Sequence, residues 1–175
     1  SVRDVSKLGG LRRSMPITTA VAVLAGGSLA GFGPVVGFIS KEMLLGVVLE
    51  VPLAKSVLVP TVVLGGALFV TVAATVAIKP FWGRLVPLPK QPHEAPFSMW
   101  IGPAELAALG FVLGFAPSLL AGSLVTPAVG TISGALKPVK LTLWHGFNLP
   151  LLLSATSVVV GLSLFAVWTP LRQRT

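Results

Sequence analysis

Residues 31 to 42, GFGPVVGFISKE, place a Gly/Pro-rich break and a lysine-glutamate pair inside one of the most apolar stretches of this chain. From Pro16 to Pro52 the only charges are Lys41, Glu42 and Glu50. A helix rises about 1.5 Å per residue and crosses a hydrocarbon core of roughly 30 Å with about 20 residues. The 37 residues of this stretch are too many for one crossing and too few for two with a loop between. The spacing predicts an interrupted helix over 16–52, two half-helices meeting near the midplane with Gly31, Gly33, Pro34 and Gly37 at the break. Counted back from Pro52 as the far interface, Lys41 lies eleven residues deep, roughly 16 Å at the helical rise. An ionisable group at that depth is by default a functional one. A second reading ends the first crossing near Ile39 and lays residues 41–51 along the interface, with Glu42, Gly46 and Glu50 as a polar stripe at i, i+4, i+8. Spacing alone leaves both readings open.

The rest of the chain also reads as membrane protein. Hydrophobic residues make up 54% of it and charged residues 10%, and the mean hydropathy is +0.92, outside the range of ordinary soluble domains. A net charge of +8 would suggest nucleic-acid binding on a polar background. Here the basic residues sit in short loops between long apolar runs, where they act as topology signals and lipid-headgroup contacts, so no nucleic-acid partner is expected. There is no cysteine, which excludes disulfides, thiolate metal sites and cysteine nucleophiles. The opening SVRDVSKLGG holds neither a signal peptide nor an initiating methionine, and the chain is expected to be part of a longer subunit.

The fold class expected is all-α, a polytopic transmembrane bundle of about four spans with the first interrupted. Residues 1–15 form a cytoplasmic loop, and helices at 57–79, 97–121 and 146–169 follow the interrupted one. The four tryptophans, Trp82, Trp100, Trp144 and Trp168, flank these spans as an interfacial belt does. Residues 122–134 are too few to cross and hold Pro127, so they read as a surface or re-entrant segment. Residues 80–96, PFWGRLVPLPKQPHEAP, are a proline-rich loop. Four crossings put nine Lys and Arg on the side of the termini and the 79–96 loop, and three (Lys55, Lys137, Lys140) on the other. The positive-inside bias then places both ends of the segment in the cytoplasm of a cell-membrane protein.

No soluble catalytic constellation is present, and no catalytic or metal-binding residues are assigned. His93 and His145 lie in different loops without a ligand partner at helical spacing. His93 reads as a solvated loop residue. His145, where the chain enters the membrane, and Glu105, two residues after Pro103, are secondary candidates for proton handling, each with a simpler interfacial role beside it. The glycines at 26, 27, 31, 33 and 37 form no phosphate-binding fingerprint, since no strand precedes them.

The stretch LGGLRRSMPITTAVAVLAGGSLAGFGPVVGFISKEMLL, residues 8–45, closely resembles the antiporter-like subunits shared by respiratory complex I and the Mrp-type monovalent cation/proton antiporters. Their signature is Gly-Gly-Leu, then Met-Pro, then a discontinuous helix ending in Ser-Lys-Glu/Asp. PHEAP at 92–96 and Lys140-Leu141-Thr142-Leu143-Trp144-His145-Gly146-Phe147-Asn148-Leu149-Pro150 are similar to the large A subunits of the Mrp antiporters. The resemblance covers nearly the whole chain. It implies that Lys41 is the lysine of the second interrupted helix that loads and releases protons, and that Glu42 is its acidic neighbour. Gly33-Pro34 stands where the family often has Pro-Pro, a departure that bears on the geometry of the break. The family's upstream proton-pathway residues precede Ser1.

The resemblance thus implies part of a membrane subunit of a multisubunit Na+/H+ antiporter, a secondary transporter and not an enzyme, contributing a proton half-channel built on Lys41. Its partners would be the other subunits of a hetero-oligomeric complex, the lipid bilayer, protons and monovalent cations such as Na+. No cofactor is expected. The alternative is a proton-pumping membrane subunit of a complex I-like NADH-quinone oxidoreductase, whose redox cofactors would sit in other chains. A third class is a scaffold whose apolar spans only pack against partners.

Overall fold

In hydrocarbon every backbone N–H and C=O must find its partner within the segment, and apolar runs of this length solve that as helices. The computed structural model describes residues 8–52, 55–83, 91–135 and 146–171, together with positions 139 and 141. Among these residues there are helices and no strands, so the chain is an all-α polytopic helix bundle. The order is α1 (Pro16–Ala30), α2 (Val36–Leu49), α3 (Lys55–Ala77), α4 (Phe97–Phe115), α5 (Pro117–Leu120), a π turn (Ala121–Val125), α6 (Thr126–Ser133) and α7 (Leu149–Leu171). Helices α3, α4 and α7 are each long and apolar enough to cross a membrane. Helix α1 is apolar but shorter, and the 16–52 stretch is divided between it and α2.

The termini of the elements follow local chemistry. Helix α4 stops at Phe115, short of the expected 121, because Ala116 precedes Pro117 and takes φ −118°, ψ 59°; the proline ring crowds the helical conformation of the residue before it. Beyond that point residues 117–133, expected in part as a surface or re-entrant segment, remain helical. Asn148 caps α7, its side-chain oxygen accepting the Leu151 amide at 2.9 Å, with Leu149 and Pro150 opening the helix.

Large side chains face outward and small ones inward. On α3, Leu64, Leu68, Val72 and Val76 are 52–60% exposed, at four-residue intervals, while Ala67, Val70, Ala73, Ala74 and Ala77 are buried. That distribution suits a helix whose outer face meets lipid and whose inner face lets backbones approach. Helix α7 packs on α3 through Ser154, Ser157 and Gly161, all buried. A Cβ on Gly161 would lie 2.5 Å from the Ala67 carbonyl oxygen, so the two backbones are nearly in contact. Thr71 Oγ1 donates into this seam, 2.9 Å from the Gly161 carbonyl.

One end of the bundle is tied by polar contacts. The Leu11 and Arg12 amides donate to the Pro80 and Phe81 carbonyls, each at 3.2 Å. Arg12 lies over the Trp82 ring, 5.9 Å from its centroid, a cation–π distance. The N-terminus of α1 has no side-chain cap of its own. Glu94 supplies one from the loop before α4: its carboxylate accepts the Ile17 amide at 2.8 Å, the Thr18 amide at 3.4 Å and the Thr18 hydroxyl at 2.5 Å. The 8–15 segment, the end of α3 and the PHEAP loop therefore share one end of the molecule.

Candidate functional site: a lysine held between four helices

The break between α1 and α2 is built by glycines with distinct tasks. Gly31 ends α1 in the left-handed region at φ 67°, with the Phe32 amide reaching back to the Gly27 carbonyl at 2.9 Å and the Gly31 amide to Ser28 at 3.1 Å. This is a Schellman-type ending, which glycine makes without strain. Gly33 takes φ 80°, a value closed to proline, whose ring holds φ near −65°. The Pro-Pro geometry common in the family is thus not the path this chain follows. Val35 is extended, and α2 starts at Val36. A Cβ on Gly37 would lie 2.0 Å from the Ser28 carbonyl oxygen, and one on Gly114 of α4 would lie 2.4 Å from the Pro34 carbonyl oxygen. Backbone from α1, α2 and α4 converges on the break with no room for side chains between.

Lys41, in the second turn of α2, is half-buried and turned into the bundle. Its stem passes Gly31, where a Cβ would lie 2.9 Å from Lys41 Cδ, and Gly66 of α3, where a Cβ would lie 3.2 Å from Lys41 Cε. At the far side Lys41 Nζ donates to Ser157 Oγ of α7 at 2.6 Å. Ser157 is fully buried, and its hydroxyl donates onward to the Ser154 carbonyl at 2.7 Å. Gly66 stands eleven residues from either end of α3, so the lysine head sits at the middle of that helix, about 16 Å from each end at the helical rise.

Beside Lys41 opens a cavity of about 510 Å³ whose walls combine Ser28, Ser40, Lys41 and Thr61 with the apolar Leu29, Leu44, Val62 and Phe69. It is large enough for several waters and offers hydroxyls to hold them. A second cleft of about 240 Å³ between α1, α3 and α7 is walled by Val23, Gly26, Ala73, Ala77, Val158 and similar apolar groups.

Glu42 is buried on the face of α2 that also holds Ile39, Leu45 and Val48, and it acts electrostatically on Lys41. This packing counts against the interfacial-helix reading, in which Glu42 would belong to a wet polar stripe. Glu105 is exposed on α4. His93 is exposed in the loop, with Nδ1 3.0 Å from the Glu94 carbonyl. His145 lies outside the described residues. Lys41, Glu42 and the break residues are thus brought together, whereas Glu105 and His93 stand apart from them.

Three parts of this arrangement escape sequence reading. Ser157 is one hydroxyl among several in an apolar helix; its signal is the Ser154, Ser157, Gly161 spacing of small residues on one face. Gly66 carries no motif at all. Glu94 sits in a loop that reads as plain punctuation, yet its carboxyl is held below the usual carboxylate range, first by the Thr18 hydroxyl bond and further by the Ile17, Ala95 and Thr18 amides.

Residues 1–71 match the transmembrane-domain family described as NADH:quinone oxidoreductase/Mrp antiporter. The chain is 37% identical to the A subunit of the Na(+)/H(+) antiporter of Bacillus subtilis (strain 168), over 91% of its own length and 22% of that protein. It is 33% identical to the corresponding A subunit of Alkalihalophilus pseudofirmus, over 93% of its length and 22% of the relative. Against the A1 subunit of the Na(+)/H(+) antiporter of Staphylococcus aureus (strain JH9) the figures are 34%, 98% and 23%. The chain spans less than a quarter of each of these relatives. Residues 1–71 thus carry the transmembrane domain described as NADH:quinone oxidoreductase/Mrp antiporter, and nearly the whole chain is similar to multi-pass Na(+)/H(+) antiporter A subunits.

Proposed function

We propose that this chain is part of a membrane subunit of a multisubunit monovalent cation/proton antiporter and that it contributes a proton half-channel with Lys41 as the group that loads and releases protons. The observation that carries this reading is the placement of Lys41 Nζ: at mid-length of a candidate span, bonded at 2.6 Å to a buried hydroxyl, with a cavity beside its stem whose mostly apolar wall carries the hydroxyls of Ser28, Ser40 and Thr61. A proton leaving Nζ transfers to water in that cavity, and a proton arriving follows the reverse route. Water bridging Ser28, Ser40 and Thr61 would supply the hydrogen-bonded path, because ordered water between hydroxyls bridges gaps that side chains alone do not span. Glu42 is the charge neighbour that biases the equilibrium, not the carrier. The break residues Gly31, Gly33, Pro34 and Gly37 shape the wall behind the lysine.

In this reading the subunit resides in the cell membrane, with the 8–15 segment, the 79–96 loop and both ends of the segment on the cytoplasmic side. It exchanges protons against Na+ or another monovalent cation only when assembled with the other subunits of the complex. The name shared by the relatives supports antiport over the alternative, a proton-pumping subunit of a complex I-like oxidoreductase; the family description covers both.

The test is cation-driven proton flux in membrane vesicles carrying the full-length subunit in its complex, at matched abundance. Lys41→Ala abolishes flux while assembly persists, because removing an intramembrane charge relieves an insertion cost of about 2.5 to 3.5 kcal/mol. Lys41→Arg also fails, since a guanidinium keeps its proton in proteins. Near wild-type flux in Lys41→Ala would remove the assignment.

A further inference from the structure

The helix that receives Lys41 lies outside residues 1–71, the part of the chain that the family domain covers. Helix α7 would have no more than a packing role if its contacts with α2 and α3 were all apolar. Its buried face instead ends in a hydroxyl at the lysine head, with Lys41 Nζ to Ser157 Oγ at 2.6 Å and Ser157 Oγ to the Ser154 carbonyl at 2.7 Å. Gly66 keeps the slot open, since a Cβ there would lie 3.2 Å from both Lys41 Cε and Ser157 Oγ. A lone serine in an apolar helix commonly bonds only its own backbone, as Ser163 does with the Val159 carbonyl. Ser157 does that and also accepts from a side chain 116 positions away.

We propose that Ser157 is a positioning residue for proton exchange at Lys41, a hydroxyl rotor that holds the lysine head in both of its protonation states; this rests on the reading of Lys41 as the proton carrier. A serine hydroxyl has one proton and two lone pairs, and an ammonium has three donors and no acceptor. With Lys41 charged, Ser157 accepts from Nζ while its own proton is held by the Ser154 carbonyl, the arrangement observed. When Nζ gives a proton to water in the adjoining cavity, one N–H bond breaks, a hydronium forms and the amine gains a lone pair. Rotation about the Ser157 Cβ–Oγ bond then turns the hydroxyl proton from the Ser154 carbonyl to that lone pair. The lysine keeps its place through the cycle, and no backbone has to move. Between Pro16 and Ala30, Val57 and Ala77, and Leu149 and Thr169, helices α1, α3 and α7 bear no titratable side chain. Glu42 on α2 itself, Glu50 at its exposed C-terminal end, Lys55 at the exposed start of α3, eleven residues from Gly66, and Glu105, exposed on α4, are the titratable groups of the elements around the site, so a change in pH response on altering Ser157 reports on the lysine and its buried acidic neighbour.

The experiment measures flux against pH in vesicles carrying the full-length subunit in its complex, for Ser157→Ala, Ser157→Thr and Ser163→Ala, with Lys41→Ala as the zero. A hydrogen bond to a charged group corresponds to roughly tenfold or more in an equilibrium. Ser157→Ala is therefore expected to lower the rate at its optimum about tenfold and to move the pH profile toward acid, because the charged state loses its acceptor. Ser157→Thr restores the wild-type profile, and Ser163→Ala never loses it. A double-mutant cycle on thermal stability of the complex adds a readout independent of activity: Lys41→Ala and Ser157→Ala are expected to be non-additive. Wild-type rate and profile in Ser157→Ala, or strict additivity in the cycle, overturns the proposal while leaving Lys41 as carrier. Full flux in Lys41→Ala instead overturns the underlying reading, whatever Ser157 does.

Discussion

Gly66→Ala isolates the lysine slot from the stability of the bundle. The added methyl would meet Lys41 Cε and Ser157 Oγ at 3.2 Å and Ser157 Cβ at 3.3 Å, against an optimum of about 3.5 to 4.0 Å between carbon atoms. Each neighbour must give by a few tenths of an ångström. Overfilling a packed site costs about 1 to 3 kcal/mol, and replacing glycine by alanine within a helix returns about 1 kcal/mol, so the net change in stability is about 0 to 2 kcal/mol. The lysine–serine bond bears the displacement, since the wedge enters between its two partners. A weakening of about 1 kcal/mol lowers flux roughly fivefold. Two reference variants bracket the effect. Gly46→Ala, on the helix of Lys41, meets nothing within 4 Å and should raise stability by about 1 kcal/mol while leaving flux intact. Gly161→Ala would place a methyl 2.5 Å from the Ala67 carbonyl and 2.6 Å from Val70 Cβ, forcing α7 off α3 and lowering thermal stability by several degrees. Flux against pH, together with thermal stability of the purified complex, separates the three. Gly66→Ala behaving like Gly46→Ala in both measurements would refute the idea that Gly66 shapes the lysine site; behaving like Gly161→Ala would show that it serves only packing.

Gly33→Ala and Gly33→Pro test the backbone of the break: nothing lies within 4 Å of a Cβ there, so only φ 80° is at stake. Alanine is expected to cost about 1 to 2 kcal/mol and proline considerably more because the angle is closed to it; equal thermal stabilities would contradict the described path. Glu94→Gln should weaken the tie between the PHEAP loop and α1 at neutral pH. The native carboxyl is held below its usual range by the Thr18 hydroxyl and neighbouring amides, so its contribution is present above the unfolded-state pKa and vanishes as pH falls through the lower folded value. The melting difference between wild type and Glu94→Gln should shrink on acidification; a constant difference would exclude the linkage. For topology, Gln91→Cys is expected to react from the cytoplasm and Ser56→Cys from outside in a cysteine-free subunit, and labelling of Gln91→Cys in intact cells from outside would reverse the orientation.

The parts legible in the sequence are those set by composition and backbone. Uncharged runs long enough to cross and Gly31 at the break both act within a few residues of where they are written, whereas the stop that Pro117 imposes on α4 falls inside a span read as continuing to 121. The site itself divides along the same line. Lys41 and its break are local features, visible because a charge and a cluster of glycines interrupt an apolar run. Its receptor is not local: Ser157 stands 116 positions away, and only the packing of α3 on α7 decides which hydroxyl faces the lysine. Gly66 is equally silent, because a glycine that leaves room for a side chain from another helix looks the same in sequence as one that leaves room for nothing. Glu94 escapes for a similar reason, the donors it caps being amides of α1 that come within reach only once the loop folds across the end of that helix.

The same long-range packing weighs against the interfacial-helix reading of residues 41–51. Periodicity places Glu42, Gly46 and Glu50 on one face, yet Glu42 is buried and Glu50 exposed, because α2 is covered on more than one side by α3, α4 and α7. A helix lying at an interface would have one dry side. With several sides covered, the polar stripe ceases to predict which residues meet water, and the position of each charge is set by its depth along the helix. Glu50, at the C-terminal end, reaches solvent. Lys41, one turn and a half after the break, is half-buried, and the bundle provides it with a serine hydroxyl on one side and a cavity bearing Ser28, Ser40 and Thr61 on the other. Inside a bilayer such provision is what separates a tolerated charge from an excluded one, and a lysine whose only purpose was anchoring would have been cheaper near either end of the helix.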